Sequence, residues 1–224
     1  MDTSNLSGKS ILVVDDVRFT RLTLVRMLQR LGHTAVSEAE DGVAALRVLE
    51  SQAVDGVISD LDMPKMNGLE LLKAVRSGTG SIPRGMPVAF ITGHSELEHL
   101  GPAMLLDLDS FLAKPLSQEA LARCLGELFG ERPKHALADA SFYAQVDLSP
   151  TVAEQTGQAQ GEEAEGRAVP LTNIPANSVL ARDLLYANGR LLLRAGSRLS
   201  PAILDRLRDL ATLTGLAETV WILE

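Results

Sequence analysis

Ile11-Leu12-Val13-Val14-Asp15-Asp16 is the stretch on which the fold turns. Four consecutive aliphatic residues, three of them β-branched, suit a strand buried on both faces, as strands of a parallel sheet are. The two aspartates then mark the strand's carboxyl end. Working outward, Val17 to Leu31 repeats apolar residues at helical spacing (Val17, Leu24, Leu28, Leu31), and Gly32 stands where a left-handed residue closes a helix. The alternation then recurs. Ala35 to Glu38 reads as a weaker strand, Val43 to Leu49 as a helix, Val54 to Ser59 as a strand and Leu69 to Val75 as a helix. Val88 to Ile91 and Ser110 to Ala113 complete the strands, and Leu116 to Phe129 supplies a last helix. Five strands with intervening helices predict an α/β fold, a doubly wound five-stranded parallel sheet with right-handed crossovers.

The whole chain has 224 residues, more than one small domain requires. Hydrophobic residues make up 46% and charged ones 22%, which excludes a wholly disordered or fibrous protein. No apolar run reaches the ~18 residues that a membrane span needs, and the first residues lack a secretory pattern, so a cytoplasmic protein with no membrane partner is expected. A net charge of -8 argues against broad nucleic-acid binding. The single cysteine, Cys124, excludes an internal disulfide and falls on the apolar side of the last helix with Leu121, Leu125 and Leu128.

Composition divides the chain into three: a domain over 9–130, an acidic linker over 131–168, and a small α+β module over 169–224. The linker has 3 basic against 7 acidic residues, and Gln155 to Gly166 holds no aliphatic side chain larger than alanine. Such a stretch cannot bury enough surface to offset the entropy of ordering it. Phe142-Tyr143 and Val146-Asp147-Leu148 are its points able to dock on a neighbour.

Polar residues cluster at the predicted strand ends: Asp15 and Asp16 after the first, Asp60 after the third, Thr92 after the fourth, Lys114 after the fifth. In a parallel sheet these ends line one crevice, where ligands bind. Three converging carboxylates repel one another, and Mg²⁺ with its oxygen ligands relieves that repulsion. A lysine adds a point charge for phosphate, and a threonine hydroxyl can follow an oxyanion. The residue types suit phosphoryl transfer onto a carboxylate. A single strand-end aspartate is better explained as a helix cap; five polar residues at successive ends are not.

Residues 9–130 resemble the receiver domain of two-component response regulators, which has a flavodoxin-like sheet. The resemblance rests on Leu12-Val13-Val14-Asp15-Asp16, Asp60-Leu61-Asp62-Met63-Pro64-Lys65-Met66-Asn67-Gly68, Ile91-Thr92-Gly93 and Phe111-Leu112-Ala113-Lys114-Pro115. It implies that Asp60 accepts the phosphoryl group, while Asp15, Asp16, Asp60 and the main-chain carbonyl of Asp62 hold Mg²⁺. It further implies that Lys114 pairs with the phosphoryl oxygens, that Thr92 moves toward them, and that Phe111 then turns inward. A cis Lys114-Pro115 bond is expected, and a histidine kinase or phosphotransfer protein as donor. Departures from the family pattern are the carboxylate of Asp62, the imidazole of His94, Gly101-Pro102 within the fourth helix, and Asp107 where a glycine commonly closes it. Proline fits only the first turn, so a short or displaced fourth helix is predicted. His94 and His99, five apart, do not stack on one helix face and read as solvated loop residues.

In the tail, Val179 to Tyr186 and Arg190 to Arg194 predict a hairpin turning at Asn188-Gly189. Ser200-Pro201 opens a helix to Leu213, and Thr219 to Leu223 is a last strand. The module resembles, with weaker specificity, a small domain found ahead of HD-GYP phosphodiesterase domains, although their catalytic motifs do not occur in this chain. Its Leu184, Leu185, Leu191, Leu192, Leu193 and Trp221 predict a protein-interaction face. The expected function is therefore a non-enzymatic response regulator that signals to a downstream protein, with a second copy of the chain as a further candidate partner. The alternatives are a DNA-binding regulator and a cyclic-nucleotide-linked output. No DNA partner is expected, because Arg206 and Arg208 alternate with Asp205 and Asp209 and no helix pair precedes them.

Overall fold

A computed structural model describes residues 8–93, 100–130, 137–144, 146, 148, 166–185, 191–201, 203–204, 207–208, 211 and 219–223. It divides into two compact units: Met1–Leu97 with Leu108–Leu148, and Glu98–Asp107 with Ser149–Glu224.

The first unit is built on the strands β1 (Ile11–Val14), β2 (Val36–Ala39), β3 (Gly56–Asp60), β4 (Val88–Thr92) and β5 (Ser110–Ala113), all parallel, in the order β2-β1-β3-β4-β5. The helices α1 (Arg18–Arg30), α2 (Gly42–Ser51), α3 (Gly68–Ser77) and α5 (Gln118–Phe129) alternate with them; α4 (Leu100–Leu105) belongs to the second unit. β1, β3 and β4 are buried at every position, as the unbroken apolar runs required. Ile11, Val13, Ile58, Ala89, Ile91 and Leu112 form one face and pack with Leu24 and Leu28 of α1 and Leu121, Cys124, Leu125 and Leu128 of α5. Burial pushes the Cys124 thiol up to about 11, in keeping with a core residue. α3 and α5 start at side-chain caps, Asn67 with Glu70 as a capping box and Ser117 accepting from the Ala120 amide.

Part of the stretch expected as linker is structured. Helix α6 (Ala140–Ala144) packs on α3, and Tyr143 is fully buried, its hydroxyl accepting from the Ala138 amide. Arg84 stacks over the Tyr143 ring and donates to the Ala138 carbonyl, while Lys73 Nζ donates to the Val146 carbonyl at 2.9 Å. One buried aromatic and two cations anchor this segment despite its acidic neighbourhood. At the far end of the predicted linker, strand β6 (Gly166–Pro170) takes in its last three residues. The Gln155 to Glu165 core of the linker lies outside the described residues.

In the second unit β6 pairs antiparallel with β11 (Thr219–Leu223), β7 (Ser178–Val179) with β10 (Arg198–Leu199), and β8 (Leu184–Leu185) with β9 (Leu191–Leu193). The last strand follows the sequence reading, and the hairpin does so over Leu184–Leu185 and Leu191–Leu193; Val179, at the start of its predicted first strand, pairs instead with Arg198 of β10, and the Asn188-Gly189 turn lies outside the described residues. Ile203 donates its amide to the Ser200 hydroxyl, so the predicted helix does begin at a serine cap. The predicted interaction face needs correction. Leu192 (3% exposed) and Leu193 are both buried in the unit's own core with Leu171, Leu180, Leu199, Ile203, Leu204, Leu207, Val220 and Ile222. Strands this short let neighbouring elements cover both faces, which the pattern Leu-Leu-Leu could not reveal. Leu184 is buried in the same core, while Leu185 and Trp221 of the predicted face do point outward, joined by Leu223.

Within the described residues α4 runs Leu100–Leu105 and contains Gly101-Pro102; residues 94–99, which precede it, lie outside them. Its Met104 is a buried member of the second unit's core, and Leu105 packs against the same cluster. Asp107 follows at φ +50°, the left-handed conformation that glycine adopts more easily and that aspartate tolerates.

Candidate functional site

Each polar residue of the crevice is placed by a backbone feature. Asp15 and Asp16 follow β1 directly, and Asp60 is the last residue of β3. One carboxylate oxygen of each lies within 4.8 Å of the others, with Asp15 and Asp60 buried and Asp16 exposed. Asp15 Oδ1 accepts from the Val17 amide at 2.8 Å. Its Oδ2 is buried with no hydrogen-bond partner. Burial holds the Asp15 carboxyl above the usual carboxylate range, against the opposing Val17 hydrogen bond and Lys114 charge. Lys114 Nζ donates to Asp60 Oδ1 at 2.8 Å. The lysine reaches it from the end of β5, where its amide bonds the Thr92 carbonyl at 2.8 Å and its bond to Pro115 is cis as expected.

The cluster fits a small divalent cation. Three carboxylates meet in one place, and an orphaned buried carboxylate oxygen is the polar atom that a cation would satisfy. Thr92 is buried and its hydroxyl donates to the Gly93 carbonyl at 3.2 Å, while Phe111 is 39% exposed. Asp62 is exposed beside the crevice loop. His94 and His99 lie outside the described residues.

The loop from β3 to α3 is braced by residues that the strand-end reading passed over. Gly68 donates its amide to the Leu61 carbonyl at 2.9 Å, and a Cβ there would stand 2.6 Å from the Asp60 carbonyl oxygen. Only glycine fits so close an approach without a shift. Lys65, at φ +66°, donates its ammonium to Asp41 Oδ2 at 2.5 Å, and Asp41 also caps α2 by accepting from the Ala44 amide. The Lys65 hydrogen bond holds the Asp41 carboxyl below the usual range. Arg21 donates to the Asp15 carbonyl at 2.7 Å and pairs with Glu38 at 3.2 Å, adding positive charge beside the acidic pair. Asp41 before Gly42 was a legible cap signal, but nothing local to Lys65 or Arg21 announces a partner 24 or 6 residues away.

A doubly wound parallel sheet with acidic residues and a lysine at its carboxyl edge defines the receiver class of signalling domains. Residues 11–125 match the response regulator receiver domain, and the chain belongs to that family. Chemotaxis protein CheY of Pseudomonas aeruginosa is 31% identical over 119 residues, which cover 53% of this chain and 94% of that protein. Chemotaxis protein CheY-3 of Vibrio cholerae is 32% identical over 119 residues, 53% of this chain and 90% of that protein. Among solved structures, the receiver domain of a sensor histidine kinase from Pseudomonas aeruginosa, with a magnesium ion coordinated in its active-site cleft, aligns with a TM-score of 0.50 at 26% identity. That alignment covers 55% of this chain and 99% of the other. All three likenesses concern about half of the chain. Among the described residues no helix is long and apolar enough to cross a membrane.

Proposed function

We propose that the protein takes a phosphoryl group onto Asp60 from a histidine kinase or phosphotransfer protein and signals through its C-terminal unit by protein contact, without an output enzyme of its own. The observation that carries this reading is the 2.8 Å bond from Lys114 to Asp60 inside a crevice of three carboxylates, one with an orphaned oxygen. Asp60 Oδ attacks phosphorus, the bond from phosphorus to the donor's imidazole nitrogen breaks, and that nitrogen keeps the electron pair. Lys114 then exchanges its carboxylate contact for the phosphoryl oxygens as their charge enters. Asp15, Asp16, Asp60 and the main-chain carbonyl of Asp62 are the groups to hold Mg²⁺, which when bound supplies the charge that neutralises the transferring group. The Thr92 hydroxyl, now spent on Gly93, is free to turn to the phosphoryl group, and outward Phe111 to follow it inward.

The test is incorporation of label from a small phosphodonor with Mg²⁺. Wild type should take up one phosphoryl group, lose uptake with chelator, and lose it in Asp60→Asn. Undiminished labelling of Asp60→Asn would overturn the assignment.

A further inference from the structure

We propose that the outer face of the β6–β11 ribbon receives an extended acidic peptide, which adds a strand along β6 and sets a carboxylate on Arg182. The inference deepens the reading of the C-terminal unit as a protein-contact output and rests on it. It begins with a cation that lacks a counter-charge. The Arg182 guanidinium lies 3.9 Å from the centre of the Trp221 ring, which is 37% exposed. Its Nε is buried without a hydrogen-bond partner, and no described residue forms an ion pair with Arg182. Asp183, the acid beside it, accepts from the Ala195 amide instead. Arg167, exposed on β6, has no ion pair among the described residues either, and neither strand of the ribbon contains an acid. A buried donor of a charged group takes a partner that can reach it, and a carboxylate is the strongest acceptor a peptide carries.

The backbone holds that arginine in place. Leu180 bridges Ile222, the Ala181 amide donates to the Trp221 carbonyl at 2.9 Å, and a Cβ on Gly166 would stand 2.3 Å from the Ala181 methyl. Glycine at 166 thus lets the bend before Arg182 lie against the ribbon. The same amide bond shows where β6 is open. In an antiparallel pair the N–H and C=O of one residue point to the same side. The Trp221 carbonyl points to Ala181, away from β6, so the N–H and C=O of Ala168, its partner in register, point away from β11. Among the described residues β6 has no strand on that side. A strand added there lies about 4.8 Å away with its side chains alternating between the two faces. Ala168 stands beside Trp221 on the outer face, and its small side chain leaves a glutamate on the added strand a path to Arg182. Pro170 and Leu223 make the rest of that face apolar. The two arginines argue against a second copy here, because a two-fold pairing brings like charges together. A nucleotide would use the guanidinium and the ring but leave the open edge unmatched, whereas a peptide backbone matches it.

Trp221 is the chain's single tryptophan, so its emission reports on this face. The full chain is titrated with three six-residue strand peptides, alternating Thr and Val with one central Glu, Gln or Lys. The Glu peptide should change the emission saturably, and the Gln peptide should bind about tenfold more weakly, the usual effect of a charged hydrogen bond. Arg182→Gln should bring the Glu peptide down to the level of the Gln peptide. Ala168→Pro, which removes an outward N–H, should weaken both, and each variant should melt near wild type. Equal affinity for the Glu and Lys peptides, or no response to any of the three, would overturn the proposal and leave protein contact through another face standing. A response to inorganic phosphate or ATP and not to the peptides would overturn it together with the protein-contact reading. An emission shift on dilution of the chain alone would assign the face to a second copy and overturn it as well.

Discussion

Strand β1 is buried at all four positions, whereas β11 alternates exposed and buried along its five. The two halves of the chain solve the problem of a core differently. In the receiver a continuous sheet buries its central strands β1, β3 and β4 at every position, so short apolar runs specify them. In the C-terminal unit three two-stranded ribbons converge on one apolar cluster, and side chains from widely separated segments, α4 included, do the specifying. A two-stranded ribbon is at best marginal alone, so that unit depends on its cluster as the receiver depends on its sheet.

The largest effect is expected from Leu192→Lys. A lysine at a position 3% exposed lacks any partner for its charge, and the C-terminal unit should lose at least about 4 kcal/mol and melt separately. Label uptake at Asp60 should survive, because the receiver core contains none of those side chains. A single unchanged melting transition would show that Leu192 belongs to a free surface after all. Gly68→Ala probes the other half: its Cβ meets the Asp60 carbonyl oxygen at 2.6 Å and Leu61 Cα at 3.1 Å, so a backbone shift costing about 1–3 kcal/mol should slow uptake without melting the C-terminal unit. Uptake at the wild-type rate would mean the loop yields freely.

Asp41→Ala sharpens the contrast within the receiver. The variant should lose about 1 kcal/mol for the missing cap. Because Lys65 lowers the Asp41 pKa in the fold, the carboxylate stabilises the native state above the unfolded value near 4, and that part is lost as pH falls through the lower folded value. The gap in melting temperature between variant and wild type should be widest at pH 5–7 and narrow below about pH 4; a gap that grows in acid would contradict the pairing. The smallest effect belongs to Trp221→Ala. The ring is 37% exposed and stacks under Arg182 at 3.9 Å, so under about 1 kcal/mol is expected from the cation–π contact and partial burial. A large loss in the thermal melt would make that face part of the core.

The same contrast explains what could be read in advance. β1, β3 and β4 were legible because burial on both faces leaves a local mark, a short apolar run ending in a polar residue, whereas β2 (Val-Ser-Glu-Ala) and β5 (Ser-Phe-Leu-Ala) carry a weaker one. Asp15, Asp16, Asp60, Thr92 and Lys114 were legible as a crevice because a parallel sheet brings strand ends together whatever the loops do. Lys65 with Asp41, and Arg21 with Glu38, were not: their meeting depends on loop paths that leave no periodic signal. In the tail the hairpin and last strand showed through their turn and β-branched residues, but β6 did not, since Gly-Arg-Ala-Val-Pro has neither alternation nor an aliphatic run. The burial of Leu192 leaves no local mark for a related reason. Counting faces of a strand presumes a sheet wide enough to have them.

The pairing of β6 with β11 has a consequence in time. The C-terminal core cannot close until residues 219–223 have left the ribosome, because Val220 and Ile222 belong to it. At about 5–20 residues per second, synthesis delivers them on the order of ten seconds after α4 emerges. Throughout that interval Met104 and Leu105 lack their final neighbours while the strands on either side of them are already made. The newborn chain therefore passes through a stage in which the apolar side of its fourth helix awaits the last strand of the core that covers it.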